Sequence, residues 1–549
     1  MAFDLKDFQN KLWKTADALR ANSGLKYNEF STPVLGLIFL RFADYRFQKA
    51  KPDIEKLKNK SSRRAFDEKT AYEARGILYV PEKASFKYLL SLPEGESIGK
   101  AINDAMTLME NNNKERLAGV LPKGYLRIPD FLLVDTMKVF NDFKFEKENG
   151  DVFGKVYEYF LGKFASSEGQ KGGEFYTPTC LVKLLVEIMK PFKGAIYDPA
   201  CGSGGMFVQT AEFAKRENKD EDKSVNDLIT VFGQEKTEET VRWCKMNLAV
   251  HGLEGNVISA NSFYEDEYTY EVEDKKSEKG KKTEKGSIGQ FDFVLANPPF
   301  NVDGVDKERL KGDKRFPFGL PKADNANYLW IQMFYSALKT PKDGENARAG
   351  FVMPNSASDA RQTEQTIREK IIKDNAVDVM VSVGSNMFHN VTLPCTLWFL
   401  DKGKKNTDRK DKVLFLDVRE IYRTIDRAHR EFTDEQIEFI TNIVKLYRGE
   451  KPDYKWGSKK LTLEKFPDEK YQDVKGLCKV ATIEEIEKQG WSLNAGRYVG
   501  VAEVEEEDYI FEDKLKELNS ELEKLNNDSK KLEEKIAHNI KELLGVRVK

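Results

Sequence analysis

Four consecutive residues near the middle of the chain carry the strongest chemical signal. A mostly apolar run that ends at Ala296 predicts a buried strand, and it is followed directly by Asn297, Pro298, Pro299 and Phe300. Because two prolines cannot continue a strand ladder, the strand must stop and present the Asn297 side chain and the Pro298 carbonyl at the sheet edge. These two acceptors can bind both N–H bonds of a planar exocyclic amine, such as that of adenine, and favour the pyramidal geometry that attacks an electrophile. The ring of Phe300 can stack on a base swung out of its duplex.

A second signal is a glycine-rich turn after an earlier predicted strand. That strand ends in Asp198, and the turn contains Gly202, Ser203 and Gly204 ahead of a helical pattern. Glycines let the backbone approach a ligand closely, and free N–H groups at a helix start suit a carboxylate or phosphate. The alternative is a tight strand-to-helix connection. If Gly204 borders a ligand, we expect Gly204→Val to fill the ligand's space or displace the backbone from its turn, and to lower ligand affinity steeply while the fold is retained.

Two further segments complete the candidate ligand contacts. Glu235 lies just past the next predicted strand, where a carboxylate can accept hydrogen bonds from ribose hydroxyls, and its alternative is a solvated surface acid. Upstream, the rings of Phe175 and Tyr176 can face a sulfonium cation, and Thr177 can bind the ligand's polar end. The alternative for this upstream segment is a helix-capping turn with Pro178 at the first helical position.

Seven short strand-like runs alternate with helical patterns after residue 150. They are 195–198, 228–232, 256–259, 291–295, 348–352, 377–381 and 396–400. This alternation predicts an α/β fold with a mostly parallel sheet and helices on both faces. Such sheets bind ligands at the carboxyl ends of their strands, and three of the four candidate segments follow predicted strands.

The regions around this sheet differ in pattern. Residues 1–145 have apolar residues at three- and four-residue spacing and predict an all-helical domain. The charged stretch from Glu265 to Gln290 predicts a mobile insertion that buries no core. A heptad-like apolar series from Leu515 to Leu543 predicts either a coiled coil or one amphipathic helix packed on its own domain. We therefore divide the chain into 1–145, a catalytic domain at 146–425 with its insertion at 265–290, an extension at 426–504 and a helical tail for subunit assembly at 505–549.

Composition limits the partners and the location. The 89 Lys and Arg against 91 Asp and Glu give a net charge of −2, without the positive potential of a stand-alone DNA-binding protein. Any grip on nucleic acid must then be local, and we expect Val305 to Phe316, through Lys314 and Arg315, to contact phosphates. The alternative is a solvated loop.

Five scattered cysteines and four histidines predict neither disulfides nor a bound metal. The lack of a long apolar run predicts a soluble, cytoplasmic protein without membrane contact.

These segments in this order resemble the amino-group DNA methyltransferases that use S-adenosylmethionine, in which NPPF is the adenine-type catalytic motif. GEFYTP, DPACGSGG and NPPF, after a helical domain beginning LWKTADALR, are similar to the modification (M) subunit of type I restriction-modification systems. The ending WSLNAGRYV is similar to that family too, so the resemblance covers about residue 5 to residue 500. It implies a seven-stranded, Rossmann-like class I methyltransferase sheet. It also implies methyl transfer from S-adenosylmethionine to the exocyclic amine of adenine in DNA.

The resemblance assigns a role to each motif position. The catalytic residues would be Asn297, Pro298, Pro299 and Phe300. The cofactor would be bound by Glu174, Phe175, Tyr176, Thr177, Pro178, Thr179, Gly202, Ser203, Gly204 and Glu235, with Asp198 supporting the loop and Asn261 near the cofactor's adenine. The family often has an acid at the last of these positions. The implied partners are DNA, a specificity (S) subunit and a second M subunit, with room for a restriction (R) subunit.

Two alternatives stay open from the sequence. Motifs of the form Asn-Pro-Pro-aromatic also serve glutamine side chains, so one alternative is methyl transfer to an amide or amine of protein or RNA. The other is a non-catalytic scaffold that only assembles a complex. The helical amino-terminal domain and the type I ending argue against the first alternative, and the intact motifs argue against the second.

Overall fold

The structure is a computed structural model of the chain. It describes residues 5–60, 66–141, 152–168, 177–220, 223–273, 281–322, 324–342, 347–388, 392–427, 429–501 and 511–543. The chain forms two compact units, Met1–Gly500 and Val501–Lys549.

The amino-terminal region of the first unit is helical. Within the described ranges its helices are α1 (Leu5–Ser23), α2 (Tyr27–Lys60), α3 (Glu68–Glu73), α4 (Phe86–Leu90), α5 (Ile98–Asn112), α6 (Lys114–Leu117), α7 (Asp130–Asn141) and α8 (Val152–Glu168). Their apolar faces meet in one core that includes Leu12, Phe39 and Phe160. The helical amino-terminal region predicted from the apolar spacing is confirmed, and it lies in one compact unit with the sheet.

The remainder of the first unit alternates strands and helices. In chain order these are α9 (Thr179–Met189), β1 (Gly194–Asp198), α10 (Gly205–Glu217), α11 (Val225–Leu228), β2 (Ile229–Glu235), α12 (Glu238–Val250), β3 (Gly255–Ser259), β4 (Thr269–Glu273), β5 (Lys281–Lys285), β6 (Phe293–Ala296), α13 (Asn327–Ala337), β7 (Arg348–Pro354), α14 (Thr363–Lys373), β8 (Val377–Val383), β9 (Cys395–Asp401), β10 (Lys412–Asp417), β11 (Arg423–Thr424), β12 (Arg430–Glu431), α15 (Asp434–Tyr447), α16 (Lys459–Lys465), β13 (Cys478–Thr482) and α17 (Ile483–Lys488).

The central sheet has the strand order β13-β10-β8-β9-β7-β6-β1-β2-β3. Strand β9 is antiparallel to β7 and β8, β13 is antiparallel to β10, and the other neighbours are parallel. All seven predicted runs are strands of this sheet, and the mostly parallel α/β fold is confirmed. Instead of seven strands, the described part of the chain contributes nine, because β10 and β13 extend the sheet beyond β8.

The order in which the chain adds strands to the sheet reverses beside β1. The chain runs from β1 through β2 to β3 on one side, whereas β6 and β7 lie on the other side of β1. Because all five of these strands are parallel, their carboxyl ends lie at one edge of the sheet. A reversal of strand order leaves a crevice at that edge, where α/β sheets bind their ligands.

Helix α12 joins the helical region to the sheet. Its residues Trp243, Met246 and Val250 are buried in the core of the helical region. The Trp243 indole N–H donates to the Thr32 hydroxyl (3.1 Å), and Arg46 donates to the Val250 carbonyl (3.3 Å). The helix that follows the Glu235 strand end is therefore fixed from both sides.

The predicted insertion is a β-hairpin at its described ends, because β4 pairs antiparallel with β5. Residues 274–280 lie outside the described ranges. The expectation that the insertion buries no core is wrong for its base. Tyr268 is buried against Tyr197 and Phe291, and its hydroxyl donates to the Gly233 carbonyl (2.7 Å). One aromatic side chain thus anchors an otherwise charged segment to the sheet.

The second unit contains one long helix, α18 (Phe511–Leu543). Its 33 residues span about 50 Å at the helical rise. Seven large apolar side chains on it are 50–60% exposed: Leu515, Leu518, Leu522, Leu525, Leu532, Ile536 and Ile540. Across the described part of both units, every helix is too short or too polar to cross a membrane.

Candidate active site

The predicted site residues follow neighbouring strands at one edge of the sheet. Asn297 comes after β6, Asp198 ends β1, Glu235 ends β2, and Asn261 follows β3. The strand order β6-β1-β2-β3 places these four positions side by side. The structure therefore brings together residues that are up to about a hundred positions apart in the chain.

The turn after β1 is held by two acidic side chains. Asp198 accepts a hydrogen bond from the Ala200 N–H (2.9 Å), and Glu235 accepts one from the Gly202 N–H (3.2 Å). A Cβ added at Gly202 would meet no atom within 4 Å, so the turn faces open space there. Asp198 supports the loop, as the resemblance implied. Glu235 contacts this turn as well, which its place in the sequence did not indicate.

The other side of the turn packs on α12. The Asn247 amide donates to the Ser203 carbonyl (2.9 Å), and a Cβ at Gly204 would lie 2.8 Å from the Cys244 sulfur. Gly204 also has a φ of +82°, which side-chain-bearing residues rarely adopt. The expected reason for Gly204→Val is therefore wrong: the new side chain would collide with α12 rather than fill ligand space.

We now expect Gly204→Val to lower both stability and ligand affinity. Backbone strain alone costs roughly 1–3 kcal/mol, and the clash with Cys244 adds to it. The thermal unfolding midpoint and the calorimetric affinity for S-adenosylmethionine should both fall. Gly124→Val is the matched control, because a Cβ there meets nothing within 4 Å and φ is −95°. A normal unfolding midpoint for Gly204→Val would contradict the packing described here.

Asp198 is almost completely enclosed, and its protonation follows from that burial. Burial raises the pKa of Asp198 to about 8, against the Ala200 hydrogen bond and with help from the nearby Glu235 charge. Asp198 therefore holds its proton more tightly in the folded state than in the unfolded chain, where the pKa of an aspartate side chain lies near 4. Stability from this group is complete below about pH 4 and falls as the pH rises towards 8.

Asp198→Asn should remove this pH dependence. We expect wild type to lose stability relative to the variant between pH 5 and pH 8, measured by urea unfolding across that range. Asp227→Asn is the control: hydrogen bonds from Ser224 lower the pKa of the exposed Asp227, so this group is ionised in both states above pH 5 and its variant should differ from wild type by a constant amount. A constant stability difference between wild type and Asp198→Asn across the range would show that Asp198 is ionised throughout.

The side chain of Asn297 has an unused acceptor at the end of β6. Its amide Nδ2 donates to the Thr177 hydroxyl (2.8 Å). Its Oδ1 is shielded from solvent and has no hydrogen-bond partner among the residues that the structure describes. A buried acceptor without a partner costs free energy, so the site favours a ligand that donates there.

Thr177 does not cap the following helix, which was the alternative for its segment. Pro178 occupies the cap position of α9 without a side-chain cap bond, and Thr179 is the first helical residue. Glu174, Phe175 and Tyr176, which were predicted to contact the cofactor, lie outside the described residues.

Phe300 lies beside an aromatic residue that the sequence did not single out. Its ring meets the ring of Phe388 edge-on at 6.3 Å, and Phe388 is buried in the turn after β8. The only sequence signal for Phe388 is its place shortly after a buried strand. Pro298 is buried and Pro299 half-buried, so the motif is fixed against the sheet.

The position after β3 contains an amide where the family often has an acid. The Asn261 side-chain oxygen accepts the Phe263 N–H (3.1 Å), which closes a tight turn. The Glu265 carboxylate accepts the Asn261 backbone N–H (2.7 Å). A carboxylate is thus present at this strand end, four residues later in the chain than the family pattern indicates.

The expected phosphate contact by Arg315 is wrong. Arg315 is buried, pairs with Asp313 (2.6 Å) and donates to the Ser262 and Phe263 carbonyls (2.7 and 2.8 Å). A guanidinium has enough donors to bind a carboxylate and two carbonyls at once, so Arg315 fixes the loop after β3. Lys314 is exposed, and it alone of the two keeps the predicted role.

A second charged cluster lies at the opposite edge of the sheet and is structural. Burial alone would raise the pKa of Asp378, but Arg448 and Arg409 hold it at about 2. Both guanidinium groups bind this carboxylate directly, and Arg409 also pairs with Asp401. In the ranges that the structure covers, no three His, Cys, Asp or Glu side chains converge as a metal site would require.

Comparisons with known proteins identify families and relatives that match this chain. The N-6 DNA Methylase family profile matches residues 148–507, and that of the HsdM N-terminal domain matches residues 8–160. The type I restriction enzyme MjaIX methylase subunit of Methanocaldococcus jannaschii is 35% identical, over 98% of this chain and 91% of its own length. The HindI methylase subunit of Haemophilus influenzae is 33% identical, over 81% of this chain and 92% of its own.

A solved structure shows the same fold. It is the type I restriction-modification system methyltransferase subunit from Streptococcus thermophilus, with a TM-score of 0.68 and 21% sequence identity. The match covers 90% of this chain and all of that one.

Proposed function

The chain belongs to the N-6 DNA methylase family, within the group of type I restriction enzyme methylase subunits, and on this premise we propose its reaction and its site. The reaction is methyl transfer from S-adenosylmethionine to the exocyclic amine of adenine in DNA. The observation that carries the proposal is the Oδ1 of Asn297, which lies after β6 and has no hydrogen-bond partner among the described residues. It supplies one acceptor for the amine, and the Pro298 carbonyl supplies the other.

The glycine turn fits the proposed cofactor. Open space in front of Gly202 leaves room for a ligand against the backbone, and Glu235 and Asn261 lie on the next two strand ends. Glu174 to Thr179, Ser203 and Gly204 complete the proposed binding set. When bound, S-adenosylmethionine supplies an electrophilic methyl group on a sulfonium centre.

The chain's own residues supply orientation rather than a strong base. Asn297 and Pro298 would hold the amine with its lone pair directed at the methyl group, and Phe300 would stack on the extruded base. Holding two reactants in line contributes a large part of the acceleration of such a step. The buried Asp198 stays behind the turn and takes no part in proton transfer.

Recognition of the DNA site requires a partner. Reading a sequence needs side chains in a groove and a cluster of phosphate contacts, yet the chain has a net charge of −2. We assign site reading to a specificity subunit, with a second M subunit and a restriction subunit as further members of a cytoplasmic complex. The exposed apolar stripe of α18 is the surface proposed to bind the specificity subunit.

Transfer of a labelled methyl group tests this proposal against the alternatives. The chain with its specificity subunit should label DNA and leave ribosomal RNA and release-factor preparations unlabelled. Binding of S-adenosylmethionine, measured by calorimetry, separates an enzyme from a non-catalytic scaffold. Labelled RNA or protein, or no cofactor binding, would overturn the assignment.

A further inference from the structure

The hydrogen bond between Thr177 and Asn297 joins two segments that are 120 residues apart in the chain (2.8 Å). Thr177 lies two residues before α9, and Asn297 directly follows β6. Helix α9 packs on β6, and Leu184, Leu185 and Leu295 are fully buried in the shared core. The distance between the hydroxyl and the amide is therefore set by the packing of the domain.

This bond determines which end of the Asn297 amide is left without a partner among the described residues. An amide has an acceptor at one atom and a donor at the other, and the two orientations differ only in their hydrogen bonds. With Nδ2 on Thr177, the unpaired Oδ1 is the end left for a ligand. In the flipped orientation an N–H would oppose the N–H of the incoming amine.

We propose that Thr177 is a positioning residue that holds the Asn297 amide with its oxygen towards the target amine. A threonine hydroxyl can donate or accept a hydrogen bond. Thr177 therefore enforces this orientation of the Asn297 amide only when its hydroxyl donates to another group. The polar end of the cofactor, which Thr177 is predicted to contact, would accept a hydrogen bond from the Thr177 hydroxyl. A chain of hydrogen bonds then runs from the cofactor through Thr177 to Asn297, and such chains strengthen each other.

The inference rests on the proposed function and makes a separate prediction about binding. Thr177→Val keeps the shape of the side chain and removes the hydroxyl, whereas Thr177→Ser keeps the hydroxyl. Oriented by Thr177, the amide should distinguish adenine from purine at the target position, since purine lacks the exocyclic amine. One hydrogen bond of ordinary strength corresponds to a preference of about fivefold.

The experiment measures two quantities for the complex of the full chain with its specificity subunit. The first is the equilibrium affinity for DNA with adenine or purine at the target position, in the presence of S-adenosylhomocysteine. The second is the single-turnover methylation rate. Thr177→Val should lose the preference for adenine over purine, and its methylation rate should fall at least about tenfold. Thr177→Ser should keep the wild-type preference and the wild-type rate. Thr230→Val, at an exposed position of β2, is the matched control and should behave as wild type.

The outcomes separate the inference from the proposed function. If Asn297→Ala loses methylation but Thr177→Val keeps the wild-type rate and adenine preference, the inference fails alone. It also fails if Thr177→Ser is as impaired as Thr177→Val. If Asn297→Ala itself methylates normally, the proposed function fails. Thr177→Ala replaces Thr177→Val should the latter unfold at a lower temperature than wild type.

Discussion

Asn297→Ala is expected to abolish methyl transfer to DNA while binding of S-adenosylmethionine survives. The substitution removes an acceptor for the amine, whereas the residues proposed to hold the cofactor lie after other strands or at the start of α9. A loss of more than about a hundredfold in single-turnover rate is expected, the size seen when an oriented hydrogen bond to a transition state is removed. Rate and calorimetric affinity should be measured on the same preparation.

The matched control is Asn256→Ala, at an exposed position on β3, which should leave rate and affinity unchanged. A loss of less than about tenfold for Asn297→Ala, or roughly 1.4 kcal/mol in barrier height, would contradict the assignment of Asn297 as amine acceptor. An equal loss of rate and cofactor affinity would place Asn297 in cofactor binding instead.

Deletion of residues 505–549 is expected to abolish co-purification with the specificity subunit and, with it, site-specific methylation. The deletion removes α18, whose seven large apolar side chains are at least half exposed. Burial of such side chains against a partner helix is the usual source of affinity in helix pairing. Cofactor binding should persist, because the proposed site lies entirely in the first compact unit.

Point substitutions make this test sharper than the deletion. Leu522→Lys with Leu525→Lys should prevent assembly, because charges then replace apolar side chains along the stripe. Glu523→Lys with Lys524→Glu changes neighbouring exposed residues outside the apolar series and should assemble normally. If the truncated chain still assembles and methylates its site, the partner is bound elsewhere.

The central sheet could be predicted largely from the sequence because its strands are buried on both faces. Runs such as 377–381 and 396–400 are mostly apolar, with one polar residue each, and turn residues or helical patterns separate them. Strand β10 has a similar apolar run at Val413–Leu416, so the sequence contains the same pattern of a buried strand there. Strand β13 has a mixed pattern, CKVAT, because it is an antiparallel edge strand whose residues are only partly buried.

The candidate site shows where sequence reasoning stops. Motif order and strand ends placed Asn297, Asp198 and Glu235 at one edge, since parallel strands share their direction. The burial of Arg315 could not be predicted, because its acceptor carbonyls at Ser262 and Phe263 are about fifty residues away. Contacts of this kind depend on loop packing, which local spacing does not encode.

Nucleoside analysis of the reaction product tests directly whether the methyl group is transferred to the exocyclic amine of adenine in DNA. DNA incubated with this chain, its specificity subunit and S-adenosylmethionine would be digested and examined by mass spectrometry. N6-methyldeoxyadenosine is expected in the product of the wild-type chain, and none with the Asn297→Ala chain. Methylated cytosine, or DNA without any new methyl group while cofactor is bound, would contradict it.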